Sequence, residues 1–233
     1  MKLVGERRAL AAVIFALYAL LYFVLGFSKV QPEMTRALYG LAGVYGLAFF
    51  SLVAGYFWAR WYAVGVGLYG VFVSALGIWQ IGPEPLMLFI GITHLAAALM
   101  LWGNSMSASY DGQTKWRERY HMDDNAVHRL GRSVIRAGVS LPIVLIYALM
   151  PRAATSASLA LAVPALLLTV VGIRGLVRMR TWGLFALGGA AGLLLAAAAT
   201  AHVTAAFVPT LAGALLASAT LPFATPIARF IRG

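Results

Sequence analysis

Residues 181–228 read TWGLFALGGAAGLLLAAAATAHVTAAFVPTLAGALLASATLPFATPIA, without one charged side chain. At 1.5 Å per residue a single helix of this length would be ~70 Å long, over twice the hydrocarbon thickness of a bilayer. The segment must therefore fold back on itself. Its most polar point, Thr200-Ala201-His202-Val203-Thr204, is the expected turn. Two apolar helices in a hairpin with no charge between them belong in lipid.

The rest of the chain divides the same way. Apolar runs of crossing length extend from Leu10 to Phe27, Ala37 to Trp58, Trp61 to Gln80, Pro85 to Gly103, Ser133 to Met150 and Ser156 to Val177. With the hairpin these predict an all-α integral membrane protein of about eight transmembrane helices in one bundle. The basic start before Leu10 resembles a signal peptide, but Gly26-Phe27-Ser28-Lys29 offers no small-residue cleavage site. The first run is therefore expected to be retained as a span.

Composition agrees. The chain is 62% hydrophobic and 11% charged, where soluble domains run at roughly 45–50% and about 25%. That excludes a water-soluble globule and a disordered chain. Cysteine is absent, which excludes disulfides, thiolate metal sites and a cysteine nucleophile.

The net charge of +11 is located by the same topology. With the N-terminus inside, only Lys29, Arg36 and Arg152 of the 18 basic residues fall on the outer side. Basic residues collect on the cytoplasmic side of membrane proteins. Both termini are therefore expected in the cytoplasm and the chain in the inner membrane. The excess reads as attraction to anionic lipid at the cytoplasmic face, not as a nucleic-acid footprint. Arg136 and Arg174, about a turn inside their spans, are expected to snorkel outward.

Three regions follow. Residues 1–103 form an aromatic-rich four-helix membrane lobe. Residues 104–132 form a short amphipathic cytoplasmic linker helix, with Trp116 and Tyr120 resting on headgroups. Residues 133–233 form a four-helix lobe rich in Ala, Leu and Gly. Small residues let helices approach closely in lipid. Gly40, Gly43 and Gly46, then Gly67 and Gly70, and the GxxxG pair Gly188 and Gly192 are the expected packing positions. They serve either this chain's own bundle or an oligomer seam.

Chemistry is scarce. No Asp, Glu, Lys, Asn or Gln sits in the middle of any span. That argues against carboxylate-coupled transport and against a retinal Schiff base. The deep ionisable residue is His94, beside Thr93. A neutral histidine there can hydrogen-bond between helices, relay protons or ligate a haem. On the linker, His121, Asp124 and His128 are spaced to share one helical face. That face would suit a divalent metal or acid–base work, or be simply solvated. Asp111-Gly112 lacks the correctly spaced arginine and later aspartates of the CDP-alcohol phosphotransferase signature, so that chemistry has no site.

The expected role is a non-enzymatic polytopic protein: a small permease or channel, or the membrane subunit of a larger complex. No cofactor is required. An intramembrane enzyme or redox subunit would use His94 with haem, or His121, Asp124 and His128 with a metal. A membrane scaffold or sensor would use only its lateral surfaces. Expected partners are the bilayer, other membrane subunits or further copies of the chain.

Overall fold

The structure, a computed structural model, describes residues 4–29, 31–150, 156–201 and 203–226. Every regular element among them is helical. In order these are α1 (Val4–Ser28), α2 (Thr35–Ala54), α3 (Ala59–Ile81), α4 (Pro85–Met100), α5 (Asn104–Ser109), α6 (Thr114–Arg119), α7 (Asp124–Leu149), α8 (Ser156–Val177), α9 (Trp182–Ala199) and α10 (Val203–Thr220). Single 3-10 turns precede α2 and follow α10.

Seven of the helices are long and apolar enough to cross a membrane. The exception among the expected spans is α4. It is apolar but has 16 residues, about 24 Å of helix. The sequence placed the end of this run at Gly103. The helix stops at Met100, and Gly103 takes a φ of 103° that only glycine adopts without strain. The turn of the uncharged hairpin lies between Ala199 and Val203, as its polar composition predicted; His202 itself lies outside the described residues.

The chain forms two compact units, Met1–Arg119 and Tyr120–Gly233. In the first, α1 packs on α2, α2 on α3, α3 on α4, and α4 back on α1. In the second, α7, α8, α9 and α10 close the same kind of ring. Each unit is thus a four-helix cycle with sequential neighbours adjacent.

The linker departs from the single helix expected of it. Residues 104–132 are not one helix. Helices α5 and α6 belong to the first unit, while residues 124–132 are the opening turns of α7. Two local features cause the break. His121 lies in the left-handed region with φ 49°, and Asp123 caps α7 by accepting from the Ala126 N–H at 2.6 Å. An N-cap aspartate satisfies an orphan donor and starts a helix anew. Trp116 does not rest on headgroups either. It is buried, stacked on Phe57 with ring centroids 4.2 Å apart.

The packing glycines also divide. An added Cβ at Gly43, Gly46, Gly188 or Gly192 would meet nothing within 4 Å. Among the described residues, these four do not mark a close helix approach. The close helix crossing in the second unit lies elsewhere. A Cβ on Gly175 would stand 2.5 Å from the Cα of Gly183, and one on Gly183 would stand 2.8 Å from the Gly172 carbonyl oxygen. Only hydrogen on the α carbon allows α8 and α9 that approach.

Arg136 is half-buried and reaches across to α10. Its Nη1 donates to the carbonyl of Ser218 at 2.5 Å. Pro222 lies four residues beyond Ser218 and has no N–H to offer that carbonyl. The arginine of α7 thus satisfies an acceptor that α10 leaves open.

Candidate functional site

One end of the first unit is closed by arginines and aromatics. Helix α2 finishes at Gly55, whose φ of 72° is left-handed. Its last carbonyls need donors. Leu52 receives the Tyr110 hydroxyl at 3.3 Å, Val53 receives Arg8 at 2.5 Å, and Gly55 receives Gln113 at 3.4 Å. Helix α4 is treated alike: Arg7 donates to Leu99 and Trp102, and Arg60 to Leu101. Cations at helix C-termini also complement the helix dipole.

Arg60 holds this end together. Its Nε and Nη2 donate to the two carboxylate oxygens of Asp111 at 2.9 and 2.6 Å. The two side chains are 14% and 8% exposed, so the pair is largely withdrawn from water. Tyr110 lies beneath the Arg8 guanidinium, 5.6 Å from ring centroid to cation. Burial pushes the Tyr110 hydroxyl above its ordinary range, and Arg8 offsets part of that rise. The hydroxyl therefore stays protonated and able to donate.

The deep site is built on His94. The residue is fully buried. Its Nδ1 lies 2.8 Å from the Ile90 carbonyl oxygen one turn back. A carbonyl only accepts, so Nδ1 carries the proton. In the neutral ring Nε2 is then the acceptor, and Tyr45 of α2 donates its hydroxyl to it at 2.7 Å. Both ring nitrogens are occupied by protein.

The neighbours come from every long helix of the unit. Tyr18 of α1 lies against the imidazole with centroids 4.1 Å apart, and its hydroxyl is 2.6 Å from Thr93 Oγ1. Thr93 donates to the Phe89 carbonyl at 2.8 Å, so Tyr18 is the donor to Thr93. Tyr22 stands beside Tyr45 at 5.3 Å, and Phe15 borders it at 6.2 Å. On the side of α3, Gly70 provides the seat: a Cβ there would overlap the imidazole ring. A Cβ on Gly67, one turn earlier, would stand 3.2 Å from the His94 carbonyl oxygen and 3.3 Å from the Ala98 Cβ.

This arrangement can fix one tautomer of a neutral histidine and join four helices through it. A metal or haem ligand at Nε2 would first have to displace Tyr45. Replacing Tyr45 with Phe is expected to cost about 1–2 kcal/mol, because Nε2 is left buried without a donor. Tyr18→Phe is expected to cost less than about 1 kcal/mol, since Thr93 keeps its backbone partner. Thermal unfolding of the two variants in one detergent checks the order.

The linker residues form no comparable site. His121 sits in the turn before α7, outside any helix, while Asp124 and His128 lie on α7. The shared three-residue face does not exist, because the helix that would carry it is interrupted at residues 120–123. Among the described residues, no group of three or more histidines and carboxylates is placed to hold a metal ion.

His94 and Thr93 are marked in the sequence as polar residues inside an apolar run. The sequence reading missed Tyr18, Tyr22 and Tyr45, and it read Gly70 only as a generic packing residue.

No family model, no characterised protein and no solved structure matches the chain.

Proposed function

We propose that the chain is an inner-membrane protein of eight crossings, with both termini cytoplasmic, that serves as the membrane subunit of a larger assembly. The observation that carries the subunit reading is the sealed His94 centre. The deep polar residue has both nitrogens bonded and no exposed surface. A solute path through this unit would have to break the bonds that join its helices. The eighth crossing is α4, whose ~24 Å suits a locally thinned bilayer or a flanking extension. Support for lateral partners comes from α9, where Gly188, Gly192 and Ala196 face outward with open space at both glycines. Such a surface lets a further helix approach closely.

The chain lacks cysteine, so single-cysteine variants report cleanly. In spheroplasts an impermeant maleimide is expected to label Gln31→Cys and to spare Asn104→Cys until the cells are broken. The reverse pattern would overturn the orientation. Reconstituted alone, the protein is expected to leave the proton and potassium permeability of vesicles at the level of empty ones. A flux abolished by His94→Leu would replace the subunit reading with a permease. A Soret band lost in the same variant would replace it with a haem protein.

A further inference from the structure

The second unit carries a basic pocket that the reading above does not use. It measures about 430 Å³ and lies between the first turns of α7 and the segment after α10. Arg129, Arg132 and Asn125 line one side; Leu221, Pro222, Thr225 and Pro226 line the other. No carboxylate is among them. Asp123 is engaged in capping α7, and Asp124 in the first turn does not line the pocket.

The chemistry of the pocket is incomplete as it stands. Arg129 Nε is buried and, among the described residues, has no hydrogen-bond partner. Ser133 Oγ, one turn further along α7 and outside the pocket lining, is buried and equally without one among the described residues. Folded proteins seldom leave a buried donor unmet. Two arginines three residues apart, with Arg132 Nε held by the His128 carbonyl and no carboxylate in the lining, make a receptor for a planar or tetrahedral oxyanion through their terminal nitrogens. The apolar wall of Leu221, Pro222 and Pro226 suits an anion attached to an apolar body. The position suits it too: the charges of α7 fall at Asp124, Arg129, Arg132 and Arg136 and none follows, so this level suits the headgroup layer.

We propose that this pocket binds a phosphate group, with Arg129 and Arg132 as its ligands, and that the lipid headgroup is the source. The proposal rests on the membrane reading above. Its probes are short-chain phosphatidylglycerol and, separately, inorganic phosphate, titrated into the purified full chain in detergent and read by native mass spectrometry. Saturable binding of phosphatidylglycerol is expected. Arg129→Gln should weaken it by about tenfold or more, as a lost charge-assisted hydrogen bond does. Arg129→Lys keeps the charge but lacks the planar fork of donors, and should also bind more weakly than the wild type. Arg178→Gln, which removes a charge outside the pocket lining, should bind as the wild type does. Competition by inorganic phosphate would support the phosphate pocket but assign it to a free anion; no competition would support the lipid. Equal weakening by Arg129→Gln and Arg178→Gln, or no saturable binding, overturns the proposal. If the chain resists carbonate extraction from membranes yet shows no dependence on Arg129, only the pocket falls. If carbonate extracts the chain, the membrane reading falls with it.

Discussion

Gly70→Ala is expected to lower the unfolding midpoint by about 10 °C. The added methyl would occupy the space of the His94 imidazole. That ring cannot tilt away cheaply, because Ile90 and Tyr45 hold its two nitrogens and Tyr18 covers it. Overpacking alone costs about 1–3 kcal/mol, and a displaced imidazole leaves buried groups unmet at about 1–3 kcal/mol more. For a chain of this size each kcal/mol corresponds to roughly 2–4 °C. The decisive control is a double-mutant cycle. His94→Ala removes the ring that the methyl strikes, so Gly70→Ala is expected to be far milder in that background. If the two losses simply add, the glycine is not the seat of the histidine.

Asp111→Ala should be nearly as damaging, for an electrostatic reason. It strands Arg60, whose side chain is only 14% exposed, without its bidentate partner. Breaking one side of a buried pair costs about 3–5 kcal/mol, whereas removing both charges is often close to neutral. The residual exposure of this pair places Asp111→Ala just below that range, at about 2–3 kcal/mol. Arg60→Met combined with Asp111→Leu is expected to recover most of that loss. The comparison is made by thermal unfolding of the two single variants and the double variant. A double variant as unstable as the sum of the singles would show that the aspartate matters for something other than its charge partner.

Much of this architecture is legible in the residues because lipid is a demanding solvent. A crossing needs a long apolar run, and Val4–Ser28 and Trp182–Ala199 show theirs plainly. Interruptions are legible when the chain carries the chemistry that makes them. Asp123 before Asp124-Asn125-Ala126 is an N-cap, and reading it as one would have divided the linker correctly. Pro222 announces that the Ser218 carbonyl needs another donor, though nothing in the spacing names Arg136 as that donor.

The candidate site is less legible. A histidine inside an apolar run stands out; a tyrosine does not, because its ring is at home at any depth. Convergence of Tyr18, Tyr45 and His94 depends on helix rotation, which three separate runs of sequence do not encode locally. Small residues are ambiguous for the same reason. Gly70 and Gly192 look alike as letters, yet one seats a buried ring and the other faces open space.

The break between α6 and α7 has a consequence for how the protein is made. The helix contacts that close the first ring, and the Arg60–Asp111 clasp, are all made by residues before Tyr120. At about 5–20 residues per second a ribosome takes on the order of ten seconds to reach that point. The first four-helix ring can therefore close in the bilayer while the second is still being translated. A gene cut between the codons for Arg119 and Tyr120 would then yield two pieces, each carrying its own complete ring.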